Sequence, residues 1–207
     1  MCKANTAVLD WNGTLLNDLP LVYRSVCQIF ATYGLPAPTL EQYRTEMSQE
    51  WMKFYLNYGI PKGTTPEELN AIRREFLEAH WDDVELHPRV LQFLQLLKEK
   101  NMRIFLVTGE VKEVVEGRLT QFRLGHFFDG VVAGVYRKAE ILNGLDLLSS
   151  ESIFVDDDPF GLCSAKELGF TTVGMTHGYA SIQRIRDANP HFMSNDFSGV
   201  IGFLKAS

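Results

Sequence analysis

Cysteine is scarce, with three residues in the whole chain (Cys2, Cys27 and Cys163). An odd number at wide spacing makes neither a disulfide framework nor a zinc-ligand set, so a reducing compartment, the cytoplasm, is expected. Long apolar runs are missing: nothing approaches the roughly 20 residues of a membrane helix. The start, Met1 to Asn5, carries one positive charge, and the apolar run behind it stops at Asp10, too short for a secretory leader. Positive charge is in deficit. Lys plus Arg is 20 against 26 Asp plus Glu, a formal charge of −6, which argues against nucleic acid or an anionic membrane as partner. No Gly-x-Gly-x-x-Gly and no Gly-Lys-Ser/Thr loop occurs, so neither a nicotinamide site nor a P-loop is expected. The five histidines have no ligand spacing, and each is expected to be structural or exposed. There is no repeat and no low-complexity tract. What remains is an ordinary globular composition, 45% apolar and 22% charged, at a length for one domain or one domain with an insert.

The present features fall into two rhythms. Thr6 to Leu9 reads as a short buried strand followed by the turn-rich stretch 12–18. From Pro20 the period becomes helical: Val22, Val26, Ile29, Phe30 and Tyr33 form one stripe, and Gly34 stops it. Thr39-x-x-Gln42 and Thr65-Pro66-Glu67-Glu68 fit capping boxes at two further helix starts. Trp51, Phe54, Tyr55 and Tyr58 make an aromatic stripe whose simplest role is core. Residues 17–86 thus read as helical, with no strand. After His87-Pro88 strands and helices alternate. Helices are expected over 89–99, 111–123, 138–148 and 160–168, and strands over 103–107, 131–133, 152–155 and 171–174. Such alternation implies βαβ units: a doubly wound parallel sheet covered on both faces, with a helical segment inserted after the first strand.

In open parallel sheets ligands bind outside the carboxyl ends of the strands. The first strand ends in Asp10, the 103–107 strand in Thr108-Gly109, and the 152–155 strand in Asp156-Asp157-Asp158; Lys138 opens the helix before that strand. Carboxylates collected at one edge repel and demand a cation. Oxygen ligands without His or Cys favour magnesium over zinc. A cation, a lysine, a hydroxyl and free turn N–H groups together suit a phosphoryl group.

This constellation resembles the haloacid dehalogenase superfamily. Asp10-Trp11-Asn12-Gly13-Thr14 is similar to its first motif, Thr108-Gly109 to the second, Lys138 to the third and Asp156-Asp157 to the acidic fourth. Tyr33 to Thr39 in the insert is similar to the phosphoglycolate-phosphatase-like branch. The resemblance implies a Rossmann-like α/β core over 1–16 and 87–207 with a helical cap over 17–86. It implies a magnesium-dependent phosphatase of small phosphorylated metabolites. Asp10 would be the nucleophile, forming an aspartyl phosphate. Magnesium would be held by Asp10, the Asn12 carbonyl, Asp157 and Asp156. Trp11, Asn12, Thr108, Gly109 and Lys138 would bind phosphate, with Asn12, Thr108 and Lys138 serving catalysis beside Asp10. Gly13 and Thr14 would shape the loop behind the nucleophile.

Two departures stand out. Asn12 occupies the place of an Asp that, in the family's phosphatases, protonates the leaving oxygen and activates water; an amide does neither. Gly161 stands where many relatives carry a further acidic metal ligand, for which the Asp156-Asp157 pair is the candidate substitute. Asn12 leaves room for two other functions. One is a weakly active phosphate-binding or interaction protein. The other resembles phosphonoacetaldehyde hydrolases, with Lys53 as a buried Schiff-base lysine beside aromatic residues. Locally, Asp158 is read as a turn residue before Pro159, Thr108 has a helix N-cap as its plain alternative, and Arg137 competes with Lys138.

Overall fold

The computed structural model describes residues 4–135, 137–144 and 149–206. Cys2 and the expected helical residues 145–148 lie outside them. The chain divides into two compact units: residues up to Leu16 with those from Leu86 onward, and Asn17–Glu85.

The first unit is built on six strands: β1 (Thr6–Leu9), β4 (Arg103–Val107), β5 (Gly130–Val132), β6 (Ser152–Asp156), β7 (Thr171–Met175) and β8 (Phe192–Ser194). Their order is β5-β4-β1-β6-β7-β8 and every neighbouring pair is parallel. Every residue of β1 and β6 is buried, as continuous apolar runs in the middle of a sheet covered on both faces require. Helices α5 (Val90–Glu99), α6 (Lys112–Gln121), α7 (Lys138–Gly144), α8 (Pro159–Glu167), α9 (Ile182–Asp187) and α10 (Phe197–Ala206) complete the unit. The expected doubly wound α/β core is therefore present.

The strand order reverses at β1. From it the chain builds outward through β4 and β5, then returns to its other side with β6, β7 and β8. Leu9 is level with Leu106 on one flank and with Val155 on the other. Asp10, Val107-Thr108 and Asp156-Asp157 consequently leave the sheet side by side, at the crevice where open α/β sheets bind ligands.

The second unit consists of α1 (Leu19–Thr32), α2 (Leu40–Glu46), α3 (Trp51–Asn57) and α4 (Pro66–Ala79). Val22, Val26, Ile29 and Phe30 are the buried stripe of α1. The helix ends on Gly34 at φ +67°, with Gly34 N–H donating to Ala31 and Leu35 N–H to Phe30. This paired closure satisfies carbonyls that the last turn leaves free. Both capping boxes form: Thr39 with Gln42 and Thr65 with Glu68 exchange side-chain and backbone bonds. Phe54 and Tyr55 are buried and pack with Phe30 and Tyr43, so half of the aromatic stripe is core, while Trp51 and Tyr58 are half-buried.

The structure differs from expectation at short elements. The segment read as strand-free contributes to a two-stranded sheet, β2 (Leu16–Asn17) with β3 (Glu85–Leu86), placed where the chain leaves the first unit and returns. Two residues carry no periodicity. The strand and helices after β7 were not anticipated either: β8 is three half-buried residues and α9 only six, but α10 runs to ten. Among the described residues, no helix is long and apolar enough to cross a membrane.

Arg89, at the N-cap of α5, is held at φ +68°, in the left-handed region where a Cβ is unfavourable. It is exposed, so little packing offsets the strain. Arg89→Gly is expected to raise the free energy of unfolding by about 0.5–1 kcal/mol, measured by urea denaturation. A loss of stability would show that Arg89 makes contacts worth more than its backbone strain.

Candidate active site

β1 ends at Leu9, and the next residue, Asp10, is 5% exposed. Asp156 closes β6 with no exposure and Asp157 follows at 3%. One oxygen from each of these three carboxylates lies within 4.8 Å of the others. Lys138, the first residue of α7, places its ammonium 2.7 Å from Asp10 Oδ1 and 2.8 Å from Asp156 Oδ2. Arg137 is excluded from this role: its largely exposed side chain pairs with Glu140.

The electrostatics follow from burial and mutual charge. Burial alone would push the Lys138 ammonium down; the charges and hydrogen bonds of Asp10 and Asp156 outweigh it and drive it up, so it stays protonated. Asp156 is pushed up to about 7, chiefly by burial, with Lys138 opposing and Asp10 and Asp158 adding to the rise. Burial and the charges of Asp10 and Asp156 also raise Asp157 well above the carboxylate range, against the pull of Tyr179 N–H and the Thr14 hydroxyl. With all three carboxylates ionised, as cation binding requires, one ammonium leaves two negative charges unbalanced. A divalent ion matches that charge, and the all-oxygen donor set matches a hard one.

Room for the cluster is made by glycine. A Cβ at Gly13, itself at φ +73°, would run into Asp157 and Tyr179, and one at Gly178 would collide with Asp157. A Cβ at Gly161 would overlap the Asp156 carboxylate. The acid that many relatives carry at that position could not coexist with Asp156 as placed here.

The neighbouring groups are these. Thr108 is 1% exposed; its hydroxyl donates to Asn12 Oδ1 at 3.3 Å and accepts from Glu110 N–H at 3.1 Å. It does not cap α6, whose N-cap is Val111. Gly109 is exposed at the same turn. The Trp11 side chain is fully buried, so any part of Trp11 in anion binding falls to its backbone. Asp158 turns away from the cluster chemistry and caps α8, accepting from Phe160 and Gly161 N–H. Lys53 does not meet the premise of a Schiff-base lysine: its side chain is 68% exposed and paired with Glu50 at 2.7 Å. It stands one turn from its partner on an outer face of α3, and burial, which that chemistry needs, is absent.

Sequence reasoning passed over Tyr179, whose N–H donates to Asp157 Oδ2 at 2.5 Å, and Thr14 as a donor to Asp157 Oδ1 at 2.9 Å. It also passed over His87 and His177, whose rings stack 3.6 Å apart beside the nucleophile loop. A backbone donor has no side-chain signature, and the two histidines are far apart in the chain.

Fold and site together define a parallel α/β protein with three buried carboxylates, a group that could hold a metal ion, at its topological switch point. The model of the haloacid dehalogenase-like hydrolase family matches residues 7–175, and the chain belongs to that family of hydrolases. Among curated relatives, a phosphoglycolate phosphatase of Pasteurella multocida is 24% identical, over 95% of this chain and 96% of its own. Another phosphoglycolate phosphatase, from Aliivibrio fischeri, is 26% identical over 94% of each chain. A solved haloacid dehalogenase-like protein of Agrobacterium tumefaciens superposes with a TM-score of 0.80 over 98% of both chains at 16% identity, a likeness of fold alone.

A pH dependence follows from Asp156. Its raised value in the fold, about 7 against an ordinary 3.8, means that its stabilising contribution is present below about 4 and lost as pH rises through 7. In chelator, the thermal midpoint of wild type relative to Asp156→Asn is expected to fall across that window. Added magnesium is expected to recover most at the upper end. A flat difference would show Asp156 already ionised at the acid end.

Proposed function

We propose that the protein is a magnesium-dependent phosphatase of small phosphate monoesters, similar in substrate class to the phosphoglycolate phosphatases it resembles, with the helical Asn17–Glu85 unit as its cap. The observation that carries this is Lys138 shared between Asp10 and Asp156 inside a buried acid cluster at the strand ends. Such a site holds a dianionic group only with added positive charge. Asp10, Asp156, Asp157 and the Asn12 carbonyl would hold magnesium, which when bound polarises phosphoryl oxygens and neutralises charge. The free thiols of Cys27 and Cys163 fit a cytoplasmic location.

In the reaction so assigned, an Asp10 oxygen attacks phosphorus and the bond to the leaving oxygen breaks, its electron pair departing with that oxygen. Lys138 offsets the charge that Asp10 and the phosphoryl group bring together. The Thr108 hydroxyl and Gly109 N–H bind phosphoryl oxygens. Water then cleaves the aspartyl phosphate and frees inorganic phosphate. Asn12 cannot supply a proton to the leaving oxygen or take one from water, so turnover is slow and fastest with leaving groups that depart unprotonated.

An aryl phosphate therefore tests the assignment. Phosphate release is expected to need magnesium and to vanish in Asp10→Asn. Asn12→Asp is expected to raise turnover by about 10²–10⁴. Equal activity in wild type and Asp10→Asn would remove the catalytic assignment. Asn12 also favours a second function, a phosphate-binding protein without turnover. Inert wild type that becomes active only as Asn12→Asp would establish that one.

A further inference from the structure

Asp157 is held from two sides. Thr14, on the loop after β1, donates its hydroxyl to one oxygen, and Tyr179, on the loop after β7, donates its N–H to the other. One side chain spans both loops. His177, two residues before Tyr179, sets Nε2 3.1 Å from the Thr14 carbonyl and Nδ1 3.0 Å from the Asn195 carbonyl, beyond β8. Carbonyls only accept, so the arrangement is fully bonded only when both ring nitrogens carry protons.

The ring face of His177 lies against His87, centroids 3.6 Å apart and planes at 17°. His87 is 7% exposed and bonds to the Gly13 carbonyl. Its Nε2 is buried and has no hydrogen-bond partner among the described residues, which suits an unprotonated nitrogen better than an N–H. Burial first, then the charge of His177, pulls His87 down to about 3. A buried ring thus stacks on one whose two nitrogens both face carbonyls. Successive carbonyls of the nucleophile loop, Gly13 and Thr14, are each taken by one histidine of the pair.

We propose that His177, backed by His87, is a positioning residue that ties the Gly13–Thr14 loop to the Gly178–Tyr179 turn and so fixes the Asp157 carboxylate for a divalent cation. This rests on the metal site proposed above. The tie leaves Asp157 itself untouched, so its loss weakens the site without deleting a ligand.

The test is calorimetric titration of the full chain with manganese alone, alongside thermal midpoints. Wild type is expected to bind one ion, and Asp157→Asn to lose most of that binding. His177→Phe keeps a stacked ring but no ring donor; it is expected to weaken manganese binding by about tenfold, as lost support of a ligand typically does. His177→Gln, which restores one donor, is expected to recover part. His177→Phe that folds and binds as wild type overturns the proposal while leaving the metal site standing. Absent binding in wild type, or unchanged binding in Asp157→Asn, overturns both. Where His177→Phe does not fold, His177→Gln and His87→Phe carry the comparison, and wild-type affinity in both overturns it.

Discussion

Three carboxylates buried at the ends of two neighbouring strands, with one ammonium between them, are the constraint on which the rest of the structure turns. Isolated buried charge is costly and is tolerated only when paired. Lys138 pairs Asp10 with Asp156 at 2.7 and 2.8 Å, and Asp157 is left to a hydroxyl and an N–H. The imbalance follows from sheet register. Because Leu9 is level with Val155, the residues that follow them leave the sheet together. A fold that places acids here must either protonate them or hold a cation, because burial and mutual repulsion raise both Asp156 and Asp157.

Asn12 alters what such a site can do: against an aspartate it removes a titratable proton and, with it, one negative charge. Its amide oxygen accepts from Thr108 at 3.3 Å, a contact a carboxylate could also make. The amide therefore keeps the loop geometry while removing a titratable proton. On the proposed chemistry the two halves of the reaction are affected unequally. A good leaving group needs no acid, but water attacking the aspartyl phosphate always benefits from a base. Substrate choice and turnover are then linked through one residue rather than through the cap alone.

Much of this was legible from sequence because chemistry restricts residue type at strand ends. Asp10, Thr108, Lys138 and Asp156-Asp157 each followed or preceded a short apolar run, and the alternation of runs implied the parallel sheet. The capping boxes at Thr39 and Thr65 were legible for a similar reason: two side chains at fixed spacing satisfy free N–H groups. Elements of two or three residues, β2, β3 and β8, were not, since a period cannot be established over so short a span. Lys53 misled because its aromatic neighbours in sequence point into the core, while its own position on α3 faces outward. Sequence adjacency on a helix does not give a shared face. The stacked pair of His87 and His177 was invisible for the opposite reason, being close in space and remote in sequence.

Absence of side chains is as much a part of the site as the acids. Gly13, Gly161 and Gly178 each border a carboxylate so closely that a methyl group would displace it. Glycine there permits close approach but supplies no contact that holds the loops in place, and it adds backbone freedom. Something else must restrict them. Thr14 and Tyr179 tie Asp157 to both loops, yet a single carboxylate that repels its neighbours is a poor anchor for its own supports. Bonds that do not pass through the acids answer the difficulty: His87 on Gly13, His177 on Thr14 and Asn195. A site crowded with like charge and lined with glycine needs its rigidity from outside the charged centre, and the stacked histidines are where this chain provides it.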